Sequence, residues 1–598
     1  MTDAVLTKID KQYTWNAESV FATRADWFTA RDKLTAELPS LAPYKGHLHE
    51  GPAALADAMD STVALLRQLM KLYVYASFAA AVDVKDEQVQ GMEAQARGLY
   101  GQFIAAQSFI DPELIAIGKD TLTEWVKHEP RLGYLEHYID DLFRKQEHVR
   151  SAEVEEILGM AIEPLGAVDN VASMLTDNDM QFADYKTITG EAVKLYQSNL
   201  EATKWLPDRE ARKSAWENYA DEYLAHRNTL AANLAVAVKS NVFFARAHRY
   251  DTALEAALSQ DNIPKEVYYN LVETFKRNLP VWHKYWAVRK KALKVDTLHP
   301  YDIWGPISSK SPKVEYKQAI DYILEGMAPL GSEYGAILKK ALTEDRWVDV
   351  YPSPNKRQGA FSTGSKGTLP FIFVSYSDEI ESMSTLAHEL GHSMHSYFTN
   401  REQPDVYTNY SMFAAETASN FNQALVRASL LATNTDRDFQ IAVIEEAMSN
   451  FHRYFFIMPT LSRFELEFHT RIERGETPTA DQLNNLMADL FAEGYGGHMQ
   501  IDRARVGITW AQFPHLYARF YVLNYTAGIS AANALARGIL DGTSGAVDNY
   551  LTFLKTGSSV YPVEALRRAG ADMATPDPID KAFSILAGLV DRLEALTN

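Results

Sequence analysis

His388-Glu389-Leu390-Gly391-His392 is the stretch on which the reading of this chain turns. It has the form H-E-x-x-H. Residues four apart share one face of a helix, so His388 and His392 can reach a single metal ion while Glu389 sits beside that ion's water. The dipeptide His-Glu also occurs at His49-Glu50 and His128-Glu129, but neither copy has a second histidine at the required spacing. The flanks predict a helix over 379–399. Ile380, Met383, Leu386, Leu390, Met394 and Phe398 recur at helical spacing. Asp378 followed by Glu381 reads as an N-cap with its capping-box partner. The competing reading is a buried amphipathic helix whose histidines make ordinary hydrogen bonds.

A catalytic zinc takes three protein ligands and keeps one position for water, so a third ligand is needed. The extended pattern H-E-x-x-H-x-x-G-x-x-H is absent: His395 stands where glycine is required, and Phe398 where the third histidine is required. The other common source is a glutamate on a following helix. Phe413-Ala414-Ala415-Glu416-Thr417-Ala418-Ser419-Asn420-Phe421 opens a second apolar-periodic segment reaching to Leu431, and Glu416 is the sole acidic residue between Asp405 and Asp436. Ala414, Ala415 and Ala418 would allow this helix to approach the first closely. Against a plain surface carboxylate stand the apolar flanks.

Composition frames the chemistry. The chain has 598 residues, 46% hydrophobic and 23% charged, which suits a globular protein with ample core. It has no cysteine, so disulfides and thiolate catalysis are excluded and any zinc must be held by nitrogen and oxygen. A reducing, cytoplasmic location is the expectation. Met1 to Tyr13 carries Asp3 and Asp10 without an apolar core, which argues against a signal peptide. No apolar run approaches about 20 residues, and even Leu230 to Val238 contains Asn233, so no membrane partner is expected. A net charge of -19 disfavours a nucleic-acid surface.

Helical periodicity dominates the chain: 53–82, 85–108, 209–247, 265–279 and 438–458 lack internal proline and repeat near every 3.6 residues. Pro280 and Pro459 predict a kink or a stop at the ends of the last two. Breakers cluster at Leu298 to Pro312, Tyr351 to Pro370, Asp541 to Gly545 and Gly570 to Pro578. No fixed-period repeat or low-complexity tract is present. A soft boundary at Leu206-Pro207-Asp208 divides an N-terminal helical part, 1–206, from 207–598, which carries the chemistry.

The clearest β signal immediately precedes the motif helix. Gly359 to Thr363 and Phe371 to Tyr376 flank a Gly/Ser/Lys/Thr loop and predict a hairpin or small sheet. Such an edge can bind an extended peptide through its backbone; a purely structural hairpin is the alternative. Downstream, Trp510 to Tyr517 and Phe520 to Tyr525 gather His515 with tyrosines. On one helix, Tyr517, Tyr521 and Tyr525 would form a single stripe. Such stripes usually belong to a core, although histidine and tyrosine can also donate to an oxyanion. Gly494-Tyr495-Gly496-Gly497-His498 reads as a flexible turn.

As a set, these segments resemble the oligoendopeptidase F family, relatives of thimet oligopeptidase. The resemblance rests on Lys356-Arg357-Gln358-Gly359-Ala360-Phe361, Thr385 to His395, Ala415 to Asn422 and Pro514-His515 to Tyr525, in the family's order, with weaker similarity from about 115 to the C-terminus, including Ala245 to Tyr250. It implies a mainly α, two-lobed helical metallopeptidase fold around a deep substrate channel, with a small β-sheet beside the zinc helix. Residues 1–206 would cover the channel and 207–598 would form the catalytic domain. It implies His388, His392 and Glu416 as ligands of one Zn2+ per chain and Glu389 as catalytic base. His515 and Tyr521 or Tyr525 would stabilise the oxyanion. The implied substrates are short oligopeptides cut internally.

Two positions depart from the family pattern: Leu523 replaces the middle tyrosine of F-Y-V-Y-x-Y, and Gln423 replaces a glutamate after the third ligand. If that glutamate orients a ligand histidine, the change would weaken the surroundings of the metal without abolishing the site. A related exopeptidase would share the same motif, and a helical peptide-binding scaffold with a vestigial site is the non-enzymatic alternative.

Overall fold

The computed structural model describes residues 9–308 and 312–598. Most of the Met1 to Tyr13 stretch, and residues 309–311 of the Leu298 to Pro312 breaker region, therefore lie outside the described residues. Among the described residues the chain is mainly α-helical with two small sheets. Among the described residues no helix is long and apolar enough to cross a membrane.

Several long periodic segments fold as their patterns predict. Pro52–Val82 and Glu87–Gln107 are single helices, the first with proline in its opening turn and the second capped by Asp86, whose carboxylate accepts from Gln88 N–H and Val89 N–H. The segment 209–247 instead forms two helices, Arg209–Ala225 and Arg227–Ala247, broken at His226. The prolines act as starts more than stops. Pro280 occupies the first turn of Leu279–Ala292, where a missing N–H leaves no helical bond unmade, whereas Pro459 follows a π-helical turn, Arg453–Ile457, that joins Arg437–His452 to Met458–Glu473.

Contacts divide the chain into two compact units, each built from three separated stretches: 1–147, 313–430 and 538–570 in the first, 148–312, 431–537 and 571–598 in the second. The first unit has a core of Trp15, Trp27, Leu69, Leu72, Phe78 and Phe103, into which Phe371 and Phe373 insert from the sheet. That sheet has three strands. Phe361–Thr363 pairs antiparallel with Phe371–Phe373, as the sequence predicts. Val348–Asp349 adds a parallel strand on the other side, which two residues of sequence could not announce. Lys356, from the Lys-Arg-Gln-Gly motif, is part of this scaffold. Its buried ammonium donates to Asp349 Oδ1 at 2.7 Å and lies 4.8 Å from the Phe373 ring centroid.

In the second unit, Asp302 is completely buried and takes both Arg209 Nε and Nη2 at 2.8 Å, with Arg212 Nη2 at 3.4 Å. This pairing ties the loop after His299 to the helix Arg209–Ala225. Gly496 and Gly497 both have positive φ, at 55° and 76°, so Gly494 to His498 is a tight turn closing the helix Ala480–Tyr495.

Candidate metal centre

The H-E-x-x-H motif lies inside the helix Ile380–Glu402. Its start differs from the predicted capping box. Glu379 is the N-cap and makes no side-chain cap bond, and Asp378 sits before it at φ 56°. An aspartate tolerates that left-handed turn, and the turn brings the chain out of the sheet into the helix.

Glu416 lies in the helix Met412–Thr433, whose first turn is anchored by Ser411 accepting from Phe413 N–H. The two helices touch backbone to backbone at one glycine. A Cβ on Gly391 would stand 2.3 Å from the Ala418 carbonyl oxygen and 2.6 Å from Ser419 Cα. Close approach therefore depends on Gly391 within the motif as well as on the small Ala418 opposite. Between the helices, one ligating atom each from His388, His392 and Glu416 lie within 4.8 Å of one another. Glu416 Oε2 is 3.4 Å from His388 Nε2 and 3.7 Å from His392 Nε2. The two imidazole rings stand 5.0 Å apart at 83°, so their nitrogens converge from different directions.

The groups behind these atoms fix their orientation. His388 Nδ1–H donates to Gln423 Oε1 at 3.1 Å, and Gln423 Nε2 donates to Ser384 Oγ at 2.8 Å. With Nδ1 so committed, His388 presents Nε2, the nitrogen through which it can ligate, toward Glu416. Gln423 thus supplies a neutral acceptor behind His388. Ser419 Oγ donates to Glu416 Oε2 at 2.8 Å, and Asn420 Nδ2 to the Glu416 carbonyl at 2.9 Å. Sequence reasoning overlooked Ser384 and Ser419. The spacing of Ser419 three residues beyond Glu416, one helical turn, was the available signal.

Electrostatics follow from burial. Desolvation holds His392 down at about 4, although Glu416 pulls the other way. Glu389 is buried beside the pair, and its carboxyl is pushed up to about 7, chiefly by burial and further by Glu416, against the opposing effect of His388. His395 does not join the group: it is stacked on Tyr410 at 3.8 Å and 6°, held neutral by burial. Tyr410 in turn meets Ser396 Oγ at 2.9 Å. The edge strand Phe361–Thr363 lies along the motif helix, with Ser362 Oγ and Ser393 Oγ 2.8 Å apart.

The donor set fits a zinc-type ion. Two imidazole nitrogens and one carboxylate oxygen are the N/O ligands that a catalytic site of this class uses, and three protein ligands leave a position open. Each of two donors is braced by a hydrogen bond from behind, as such ligands require.

The downstream cluster belongs to the second unit. The predicted single stripe does not form. Pro514–Tyr517 is a short 3-10 turn, Phe520 takes φ 52°, and a helix begins only at Leu523. Tyr517 is drawn away, accepting from Asn233 Nδ2 at 3.0 Å. Yet the broken backbone still gathers three of the rings: His515 lies 6.2 Å from Tyr521 and 5.8 Å from Tyr525, and the two tyrosines are 5.5 Å apart. Burial, with the neighbouring Arg453, keeps His515 below its ordinary value. Leu523 is buried, so no ring is contributed from that position.

Comparison with known proteins converges on one family. The model of peptidase family M3 matches residues 202–585, and that of oligopeptidase F matches 113–182. Oligopeptidase PepF of Bacillus subtilis (strain 168) is 36% identical over 591 residues, covering 99% of this chain and 88% of the relative. Group B oligopeptidase PepB of Streptococcus agalactiae is 34% identical, covering 98% of each. The crystal structure of oligoendopeptidase-F from Enterococcus faecium superposes with a TM-score of 0.74 at 30% identity, over 96% of this chain and 99% of that one.

Proposed function

This chain belongs to peptidase family M3 and is a metalloendopeptidase of the oligoendopeptidase F type; from that premise we propose that it is zinc-dependent and hydrolyses internal bonds of short, unstructured oligopeptides with Glu389 as general base. The observation that carries this reading is the meeting of His388, His392 and Glu416 within 4.8 Å, with Glu389 buried beside them.

His388, His392 and Glu416 would hold the ion. When bound, zinc lowers the pKa of its water and polarises the scissile carbonyl. Glu389 takes the proton of the attacking water and passes it to the leaving amine. Gln423 keeps the Nδ1 proton of His388 in place throughout. His515 with Tyr521 or Tyr525 donates to the oxyanion; loss of one such donor typically lowers the rate by about two to three orders of magnitude. The edge strand Phe361–Thr363 offers backbone groups along which an extended peptide can lie. In this reading 1–206 is a helical cover and 207–598 the catalytic part.

The test is digestion of an end-blocked peptide with and without chelator, products read by mass spectrometry. Internal cleavage that chelator abolishes and zinc restores is the expected result. Glu389→Gln should keep the metal and lose activity by several orders of magnitude, and near-normal turnover in that variant would remove Glu389 from the mechanism. Cleavage only at free chain ends would favour an exopeptidase instead.

A further inference from the structure

Phe520 stands in the chain between His515 and the two tyrosines assigned to the oxyanion, and its backbone is left-handed at φ 52°. Of the six non-glycine residues with positive φ among the described residues, it is the one aromatic. That conformation is unfavourable for a bulky side chain and persists only where the surroundings enforce it. Residues held in this way concentrate at functional sites.

Most of the enforcing contacts come from the helix Met458–Glu473, in the same unit. Glu465 Oε1 accepts from Phe520 N–H at 2.6 Å. His469, one turn along, sets its ring 4.5 Å from that of Phe520 and donates Nδ1–H to the Glu465 carbonyl at 2.9 Å. From the helix Lys265–Arg277, Tyr268 meets Phe520 edge-on at 5.7 Å, and its hydroxyl donates to the Ser462 carbonyl at 2.7 Å. Glu465 is 2% exposed, and its Oε2 has no hydrogen-bond partner. Among the described residues, the Phe520 N–H is therefore the sole partner of this carboxyl. Burying a carboxyl for one hydrogen bond is unfavourable, and a leucine would fill the same space without that penalty. Burial pushes the group up to about 8, so at neutral pH it acts as a hydrogen-bonding group and not as a charge.

The bend at Phe520 sets the direction of the residue that follows. The Tyr521 ring lies 6.2 Å from His515 at 24° and 5.5 Å from Tyr525. Tyr525 has a separate hold, because it stacks on Tyr454 at 5.1 Å and 11°, and Thr526 Oγ1 donates to the Tyr454 carbonyl at 3.0 Å. With Phe520 right-handed, the chain would leave this point in another direction and Tyr521 would part from His515.

We propose that Glu465 is a positioning residue for peptide hydrolysis: by holding the Phe520 N–H it fixes the bend that seats Tyr521 against His515. The catalytic part of this proposal rests on the assignment of the segment to the oxyanion. The seating of the ring does not, and it is measured by itself.

For that measurement 3-fluorotyrosine is introduced at position 521 alone in the full-length protein, and its 19F resonance is recorded with glutamate, leucine or glutamine at 465. Glu465→Leu keeps the volume and removes the acceptor; Glu465→Gln keeps the acceptor. A displaced or split resonance is expected for leucine, and a native one for glutamine. Cleavage of an internally quenched oligopeptide by the zinc-loaded protein then gives kcat and KM. Glu465→Leu should lower kcat about 100-fold with KM changed less than about threefold, as when an oxyanion donor is misplaced. Glu465→Gln should recover most of that loss. In a Tyr521→Phe background, Glu465→Leu should lower kcat by less than about threefold further, since the group it positions is already gone. Unfolding midpoints establish that each variant folds. If the leucine variant does not, Glu465→Asp, one methylene too short to reach the Phe520 N–H, replaces it in every arm.

A native 19F resonance in a folded Glu465→Leu would overturn the proposal. So would a displaced resonance with kcat unchanged, which leaves Glu465 a role in the fold alone, or a kcat loss of full size in the Tyr521→Phe background. Native turnover by both His515→Ala and Tyr521→Phe would remove the oxyanion assignment and the catalytic role of Glu465 with it, while the 19F resonance would still show whether Glu465 seats the ring.

Discussion

Gln423→Leu isolates what the hydrogen bond behind the proposed metal ligand His388 contributes. In the native protein His388 Nδ1–H reaches Gln423 Oε1 at 3.1 Å, and Gln423 Nε2 reaches Ser384 Oγ at 2.8 Å. Leucine fills a similar volume and offers neither group. His388 then has no partner to hold its proton on Nδ1, and its ring is free to turn. A population with the proton on Nε2 cannot ligate. Substitutions behind a ligand commonly weaken metal affinity by about 10- to 100-fold, or about 1.4–2.7 kcal/mol. The buried position of Gln423 places the expectation in the upper half of that range. Gln423→Glu is the opposing arm. A carboxylate accepts more strongly from Nδ1–H, and Ser384 can rotate its hydroxyl to donate instead, so affinity should rise above that of the native protein. The assay is competition for Zn2+ against a fluorescent chelator at neutral pH, with thermal unfolding of each metal-free variant to confirm that the helices still pack. An affinity for Gln423→Leu within twofold of the native value would refute the idea that Gln423 orients His388.

Other expectations can be checked by simpler means. Glu416→Ala should purify without stoichiometric metal, as read by elemental analysis, because two histidines alone make a weak site. Asp302→Ala should lower the stability of the second unit by about 3–5 kcal/mol in a denaturant titration, since it strands the guanidinium of Arg212 in the interior. Glu465 is buried, and its carboxyl is pushed up to about 8 by desolvation, although Oε1 accepts from Phe520 N–H. The folded protein therefore keeps this proton after the unfolded chain has released it. Its contribution to stability is complete below the ordinary carboxyl value and is lost as pH rises toward 8. Between pH 5 and 8 the loss is roughly 4 kcal/mol, and Glu465→Gln should flatten that part of the profile of unfolding midpoint against pH.

The candidate metal centre was legible in the sequence because it rests on local geometry. The spacing of His388, Glu389 and His392 is a property of one helix, and the isolation of Glu416 among apolar neighbours is a property of the next. Apolar periodicity likewise set the long helices Pro52–Val82 and Glu87–Gln107, where one face must be buried whatever lies against it. What depended on distant contacts was beyond the sequence. The strand Val348–Asp349 exists because Phe371–Phe373 lies beside it. The alignment of Tyr517 with Tyr521 and Tyr525 failed because Phe520 turns to positive φ, where its N–H is bound by Glu465 from another helix. Gly391 could be read as part of a motif, but its contact with Ala418 exists only once two helices have met. Local spacing selects the residues that can act, since periodicity is written into each segment. Only packing, which unites residues far apart in the chain, decides which of them share a site.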